Sequence, residues 1–302
     1  MLSPMTIAKN KLRIAGCQFA VDGDVERNRE QIAAQIREAA GLGARVAHFP
    51  EAALSGYAGV DLPDFSRMDW TKLHRATEHI CREAAKHKIW VLLGSAHRLS
   101  DGRRPHNSLY VISDQGRVVD RYDKRFCTGA SASDRSADLA HYTPGDHAAT
   151  FEIDGIRCGA LICYDYRFPE LYRDLKRRGV ELLFQSFHNA RRDHQTFRRR
   201  NIWKHVVPAT MVAHAATNYF WISAVNSTAK YSMWSSFFVQ PDGRIAGRLE
   251  VHVPGVLIAD VDPGLELWDA SGAWRERAMQ GALHSGELAG GDDPRSRDRT
   301  CL

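Results

Sequence analysis

The sequence predicts an α/β protein built as an α-β-β-α sandwich, two mixed sheets packed face to face and covered outside by helices. Three observations carry this. Apolar strand-like runs alternate with amphipathic helical segments along most of the chain. Two hairpins interrupt that alternation and put antiparallel pairs inside a parallel pattern. The helices form two pairs, enough to cover one face of each sheet, and the apolar faces left over bury each other when the two sheets stack.

Taken in order, "LRIAGCQFA" (12–20) is an apolar strand, and Asp24 caps a helix that puts Val25, Ile32, Ile36 and Ala40 on one face. Gly41 and Gly43 stop that helix. "ARVAHF" (44–49) is the next strand. Asp69 caps a second helix with Trp70, Leu73, Thr77, Ile80 and Ala84 inward, ahead of the strand "IWVLLGSA" (89–96). "NSLYVIS" and "RVVDRYDK" flank the turn "DQG", and after a polar loop (126–147) "ATFEI" and "IRCGALIC" flank "DG". Helices return at "PELYRDLKRR" and through 195–216, where Pro208 marks a kink or a restart. The strands "VELLFQSF", "YFWISAV", "SSFFVQ", "RIAGRL" and "GVLIADV" complete the body. No repeat or low-complexity linker divides it, so residues 10–280 read as one domain and residues 283–302 as a disordered tail.

With 302 residues, 44 % hydrophobic and 25 % charged, the chain can bury a large core, and its net charge of +5 is too weak to imply a nucleic-acid partner. The most basic stretch, "ARRDHQTFRRRNIWKH" (190–205), reads as a helix with a solvated face and a buried one bearing Phe197 and Trp203. No stretch reaches the roughly 18 apolar residues of a membrane span, and the start lacks a signal-like apolar region, so the expected compartment is the cytoplasm. Cys17, Cys81, Cys127, Cys158, Cys163 and Cys301 show neither a Cys-x-x-Cys pair nor zinc-type spacing with histidine. Reduced thiols fit that compartment.

Chemistry enters at "GALICYDYRFPE" (159–170), where an apolar strand ends at Cys163 and a charged segment begins. Pro169 suits the first turn of the following helix, which places the thiol on a strand-to-helix elbow where backbone N–H groups and the helix dipole favour a thiolate. A small core cysteine is the bland alternative. Two further residues sit just beyond strand ends: Glu51 in "RVAHFPEAALSGY" and Lys124 in "RVVDRYDKRF". Groups outside carboxyl strand ends line the ligand crevice of α/β sheets, so the three together form a constellation. A Cys-His pair using His188 in "LLFQSFHNA" is the competing reading.

In their order and separations, Glu51, Lys124 and Cys163, with "NSLYVISDQGRV", "PGD", "NYFWISAVN" and "PDGRI", resemble the nitrilase superfamily of carbon-nitrogen hydrolases. The resemblance covers all but the tail. It implies an α-β-β-α sandwich acting as a homodimer or higher homo-oligomer through the helical layer, with no metal or organic cofactor. It also implies a catalytic triad in which Cys163 attacks, Glu51 is general base, and Lys124 with the amide after Cys163 holds the oxyanion. "CYDYRFPEL" looks most like the amidase and omega-amidase branch, since the nitrile branch carries tryptophan and glutamate where Tyr164 and Asp165 stand. The expected substrate is a small amide; nitrile or N-carbamoyl hydrolysis, or a ligand-binding member that no longer turns over, are the alternatives.

Tyr57, Tyr164, His188 and Asn189 are the candidates to bind substrate, and Arg191 or Arg192 could meet a substrate carboxylate. One departure from the family stands out. The second glutamate, about six residues before the proline of "PG", is replaced by Asp138 in "SADLAHYTPGD". An aspartate is shorter by roughly 1.5 Å, so it reaches Lys124 only if its loop approaches more closely or a water bridges the gap.

Overall fold

The computed structural model describes residues 11–100, 102–134, 137–189, 202–289 and 293–300. Two six-stranded sheets form the body. In the first the order is β12-β1-β2-β3-β4-β5, and in the second β11-β10-β9-β8-β7-β6. The strands of the first are β1 (Leu12–Gln18), β2 (Val46–His48), β3 (Trp90–His97), β4 (His106–Ile112), β5 (Val118–Asp123) and β12 (Gly255–Val261). Those of the second are β6 (Thr150–Ile153), β7 (Ile156–Ile162), β8 (Leu182–Ser186), β9 (Trp221–Val225), β10 (Phe237–Val239) and β11 (Ile245–Arg248).

Each sheet has a parallel centre, β1-β2-β3 and β7-β8-β9, with antiparallel strands outside it. Helices α1 (Val25–Gly41) and α2 (Trp70–His87) pack together over the first sheet. Helices α3 (Pro169–Arg177) and α4 (Trp203–Asn218) cover the second. Asp24 and Asp69 cap α1 and α2 by accepting from Glu26 N–H and Lys72 N–H, as their positions predict.

The two-residue period of a strand divides the core cleanly. Leu12 and Ile14 of β1, Val46 of β2 and Leu92 of β3 join the cluster between the sheets. Ala15, Cys17, Ala47, Val91 and Leu93 join the cluster under α1 and α2. Both faces of the first sheet are therefore buried, which explains the unbroken apolar runs of its central strands.

Some details depart from expectation. Strand β2 stops at His48, although Phe49 N–H still donates to Leu92 O of β3 at 3.0 Å; the turn begins at Glu51. Helix α4 runs through Pro208 without a restart; the part of that helix predicted before residue 202 lies outside the described residues. A 3₁₀ turn, Cys163–Arg167, separates β7 from α3, so the elbow is longer than a direct strand-to-helix junction. Beyond the body come α5 (Gly272–Met279) and, within the segment read as a tail, a helical turn α6 (Pro294–Arg297); neither buries a residue. Among the described residues no helix is long and apolar enough to cross a membrane.

One polar bridge joins the sheets beneath the loop after β2. His48, fully buried, meets Ser223 Oγ through Nδ1 and Ser186 Oγ through Nε2, each at 2.9 Å. Ser186 donates its own proton to Phe49 O (2.9 Å), so it accepts from Nε2–H, and Nδ1 is left to accept from Ser223. Burial pushes the imidazole down to about 3, which keeps it neutral.

The turn carrying Glu51 also presses on β3. A Cβ at Gly94 would lie 2.0 Å from Pro50 O and 2.8 Å from Ala52 N, so only glycine lets the turn cross the strand there. Gly94→Ala should destabilise the protein by at least about 1–3 kcal/mol, the usual range for overpacking, read as a lower urea midpoint at unchanged slope. A midpoint equal to wild type would mean that the turn can lift off β3 freely.

Candidate active site

The four residues singled out for chemistry converge at one end of the sandwich. Strand β5 runs in the direction of β2 and β3, because two antiparallel reversals through β4 cancel. Lys124 therefore leaves its strand on the same side as Glu51, and Cys163 leaves β7 opposite them. Glu51 is fully buried, and Lys124 and Asp138 nearly so, while Cys163 keeps partial solvent access.

Lys124 is the hub. Its Nζ donates to Glu51 Oε1 at 2.8 Å and to Asp138 Oδ2 at 2.7 Å. Asp138 thus reaches the ammonium directly, and the loop makes up for the shorter side chain. The 3₁₀ turn Asp138–Ala140 carries it inward, fastened by Asp138 N–H to Thr128 Oγ1 (3.0 Å) and Thr128 N–H to Asp138 Oδ2 (3.1 Å). The aspartate therefore both partners the lysine and accepts a backbone N–H. Gly145, in "PGD", backs this arrangement: a Cβ there would sit 2.4 Å from Asp123 O.

Glu51 is oriented through both oxygens. Oε1 also accepts from Asn107 Nδ2 at 2.7 Å, and Oε2 accepts from His188 N–H at 3.0 Å. Its own N–H donates to Phe187 O (3.2 Å). Asn107 escaped the sequence reading, yet hairpin register points to it. Ser108 pairs with Asp123, so Asn107 stands across from Lys124 and accepts its N–H at 2.8 Å.

Cys163 sits at φ +43°, in the left-handed region that a non-glycine side chain adopts at a cost. Asp165 secures this elbow. Its buried carboxylate accepts from Ile162 N–H (3.1 Å), Phe126 N–H (2.9 Å) and Tyr122 OH (2.7 Å), tying the cysteine turn to the segment that bears Lys124. Burial raises Asp165 to about 6 despite these donors.

The electrostatics correct one expectation. Burial, and next the Glu51 charge, push the Cys163 thiol well above its ordinary range, and Lys124 offsets only part of this. The elbow therefore does not favour a free thiolate. The Glu51 charge acts on this thiol, so a carboxylate able to accept its proton belongs to the same site. For Lys124, burial works to lower the pKa, but Asp138 and then Glu51 outweigh it and hold the ammonium well above its usual value. Asp138 is raised by burial and lowered more by Lys124, Tyr57 and Thr128, for a net depression.

The residues expected to bind substrate make the following contacts within the protein. Tyr57 OH donates to Asp138 Oδ1, and the Tyr57 ring lies 5.8 Å from Lys124 Nζ. Tyr164 is partly exposed and packs edge-on against Phe168 at 5.7 Å. The His188 ring contacts Asp61 at 3.0 Å and faces Tyr57 at 5.4 Å. Asn189 donates its N–H to Asn226 Oδ1 and accepts from Met233 N–H, at 2.9 and 3.2 Å, which fastens the end of β8 to the loop after β9. Arg191 and Arg192 lie outside the described residues.

This fold is shared by nitrilase-superfamily amidases. An amidase from Nesterenkonia sp. superposes with a TM-score of 0.72 at 21 % identity, over 93 % of this chain and 100 % of that one. A variant of it showing covalent addition of the acetamide moiety of fluoroacetamide at its active-site cysteine superposes at 0.73 and 20 % identity, over 90 % and 97 %. The chain belongs to the carbon-nitrogen hydrolase family, whose sequence model matches residues 13–269. Among curated relatives, a 2-oxoglutaramate amidase of Bacillus subtilis is 26 % identical over 70 % of this chain and 76 % of its own. An omega-amidase of Homo sapiens is 28 % identical over 57 % of this chain and 61 % of its own, so this chain spans about three-fifths of that relative.

The depressed Asp138 carries a pH dependence. Its folded pKa lies below the unfolded value of 3.8, so it contributes stability above that value and loses it as pH falls through the folded pKa. The stability gap between wild type and Asp138→Asn should be widest near neutrality and narrow below about pH 4. Chemical denaturation across pH checks this; a gap that widens in acid would mean that Asp138 is protonated in the folded protein.

Proposed function

We propose that the protein hydrolyses the carbon-nitrogen bond of a small amide through an acyl thioester on Cys163, releasing ammonia or an amine. The observation that carries this reading is the buried Glu51 carboxylate, held by Lys124, Asn107 and the His188 N–H in the same site as Cys163, whose thiol its charge raises. A raised thiol pKa calls for a general base in the site, and Glu51 is that base.

Glu51 takes the thiol proton as Sγ attacks the carbonyl carbon. The carbonyl oxygen gains the charge and turns to the Lys124 ammonium and the N–H of Tyr164. Glu51 passes its proton to the nitrogen, the carbon-nitrogen bond breaks, and the amine departs. Water then adds to the thioester, giving one proton to Glu51, and sulfur leaves and takes that proton back, so the free acid is released and the enzyme is restored. Asp138 keeps Lys124 charged and aimed throughout. The relatives that act as amidases support the choice of amide over nitrile, and the covalent acetamide adduct on the cysteine of the Nesterenkonia enzyme supports a cysteine nucleophile.

We place the domain at residues 10–280 and the protein in the cytoplasm, where the five described cysteines, all free, stay reduced. A homodimer or higher homo-oligomer is the expected assembly. Trp268 and Trp274, 77 % and 45 % exposed on the segment beyond the sheets, support it.

Ammonia release from a panel of amides, nitriles and N-carbamoyl compounds should be fastest on amides. Cys163→Ala should fold and melt like wild type with no turnover, and Glu51→Gln should accumulate an acyl adduct on Cys163 visible by mass spectrometry. An adduct that keeps the substrate nitrogen, with nitriles turned over faster, would assign nitrile chemistry instead. Asp138→Ala should slow the chemical step by about 10²- to 10³-fold, the scale of losing an oxyanion donor, with little change in KM. Unchanged kcat would remove Asp138 from the machinery.

A further inference from the structure

A circuit of polar contacts runs around the site and closes on itself. From Glu51 Oε1 it passes to Lys124 Nζ and on to Asp138 Oδ2, at 2.8 and 2.7 Å. Asp138 Oδ1 then accepts from Tyr57 OH. The Tyr57 backbone N–H donates to Asp61 Oδ2 at 2.8 Å, and that same oxygen lies 3.0 Å from His188 Nε2. The His188 N–H returns to Glu51 Oε2 at 3.0 Å. Glu51, Lys124 and Asp138 have chemical work in the mechanism. Asp61 and His188 have none, although their side chains are 8 % and 0 % exposed beside it.

We propose that Asp61 and His188 are positioning residues, whose contact locks the 57–61 turn against the end of β8 and so aims Glu51 and Lys124 together. The turn is wound around one carbonyl, with Val60, Asp61 and Leu62 N–H groups all directed at Tyr57 O, so it moves as a unit. Its Asp61 end is held by His188. Its Tyr57 end carries the phenol that holds Asp138 on Lys124, and the His188 ring backs the Tyr57 ring at 5.4 Å. One contact therefore bears on two arms. Through Tyr57 and Asp138 it steadies the lysine that receives the oxyanion, and through the His188 backbone it steadies the base. The neighbouring anchors of β8, Phe187 N–H to Val225 O and Asn189 N–H to Asn226 Oδ1, tie that strand end to β9 and leave the link toward the 57–61 turn to His188. A buried carboxylate beside two others, with one ammonium among them, is costly unless polar groups meet it; Asp61 accepts the Tyr57 N–H within its own turn, and the His188 ring is what meets it from outside that turn.

The proposal rests on the Cys163 chemistry above, and its test separates the two. His188→Ala, His188→Gln and Asp61→Asn are compared with wild type in melting temperature, in kcat and KM on the best amide, and in the rate of Cys163 alkylation by chloroacetamide. Displacing a reacting group by an ångström costs on the order of 10²-fold, so His188→Ala should lose about 10- to 100-fold in kcat and in alkylation, with KM within about threefold. His188→Gln, which can return a nitrogen to the place of Nε2, should recover most of the loss, and Asp61→Asn should fall between. Wild-type rates in folded His188→Ala overturn the proposal, and so does a rise in KM alone, which would make His188 a substrate contact. Rates that fall only in proportion to unfolding, with no recovery in His188→Gln, overturn it too by assigning a purely structural role. If wild type hydrolyses no amide while His188→Ala still slows alkylation, the positioning role stands and the amidase reading falls.

Discussion

A lysine ammonium with no access to water, clamped between two carboxylates, is the constraint from which the rest of the site follows. Removing one partner of such a buried pair typically costs about 3–5 kcal/mol, so the fold must bring both partners to Lys124. They come from distant parts of the chain. Glu51 arrives on the turn after β2 and Asp138 on a 3₁₀ turn inside the long loop after β5. Every further contact serves to keep those segments in place: Thr128 for the Asp138 turn, Asn107 and the His188 N–H for Glu51, Asp165 for the junction with Cys163.

The double-sheet architecture makes this convergence possible. One sheet alone would present Glu51 and Lys124 with nothing opposite them, whereas stacking the second sheet sets the end of β7 across the gap. The stack is pinned close to the chemistry by neutral His48, whose two serine partners lie on β8 and β9 and whose neighbour Phe49 leads into the Glu51 turn. Strain gathers at the same place. Ala52 at φ +54° and Cys163 at φ +43° are both non-glycine residues in the left-handed region, each held by surrounding hydrogen bonds.

Electrostatics then divides the labour. In a site this buried a thiolate is disfavoured, and the Glu51 carboxylate makes it more so, so the nucleophile rests as a thiol. The ammonium, held charged by Asp138 and Glu51, supplies the fixed positive charge that a developing oxyanion needs. Glu51 is hydrogen-bonded to that ammonium, so a proton it takes from sulfur moves toward the lysine side of the site.

The order of strands and helices, the caps at Asp24 and Asp69, and the strand-end placement of Glu51, Lys124 and Cys163 were legible in the sequence, because each depends on local periodicity, capping chemistry or a motif of adjacent residues. Asn107 was legible in principle, since hairpin register is set by the residues of the hairpin itself. What only the tertiary structure decided involves residues far apart along the chain. That β12 returns to pair with β1, that the Asp138 loop comes close enough to offset a missing methylene, and that Tyr57 turns its phenol to Asp138 all depend on how loops pack. The same holds for the thiol. Local reading of an elbow favoured a thiolate, but burial between two sheets and a carboxylate from the turn after β2 reversed that preference, because the electrostatic field at a group is the sum over everything the fold places around it.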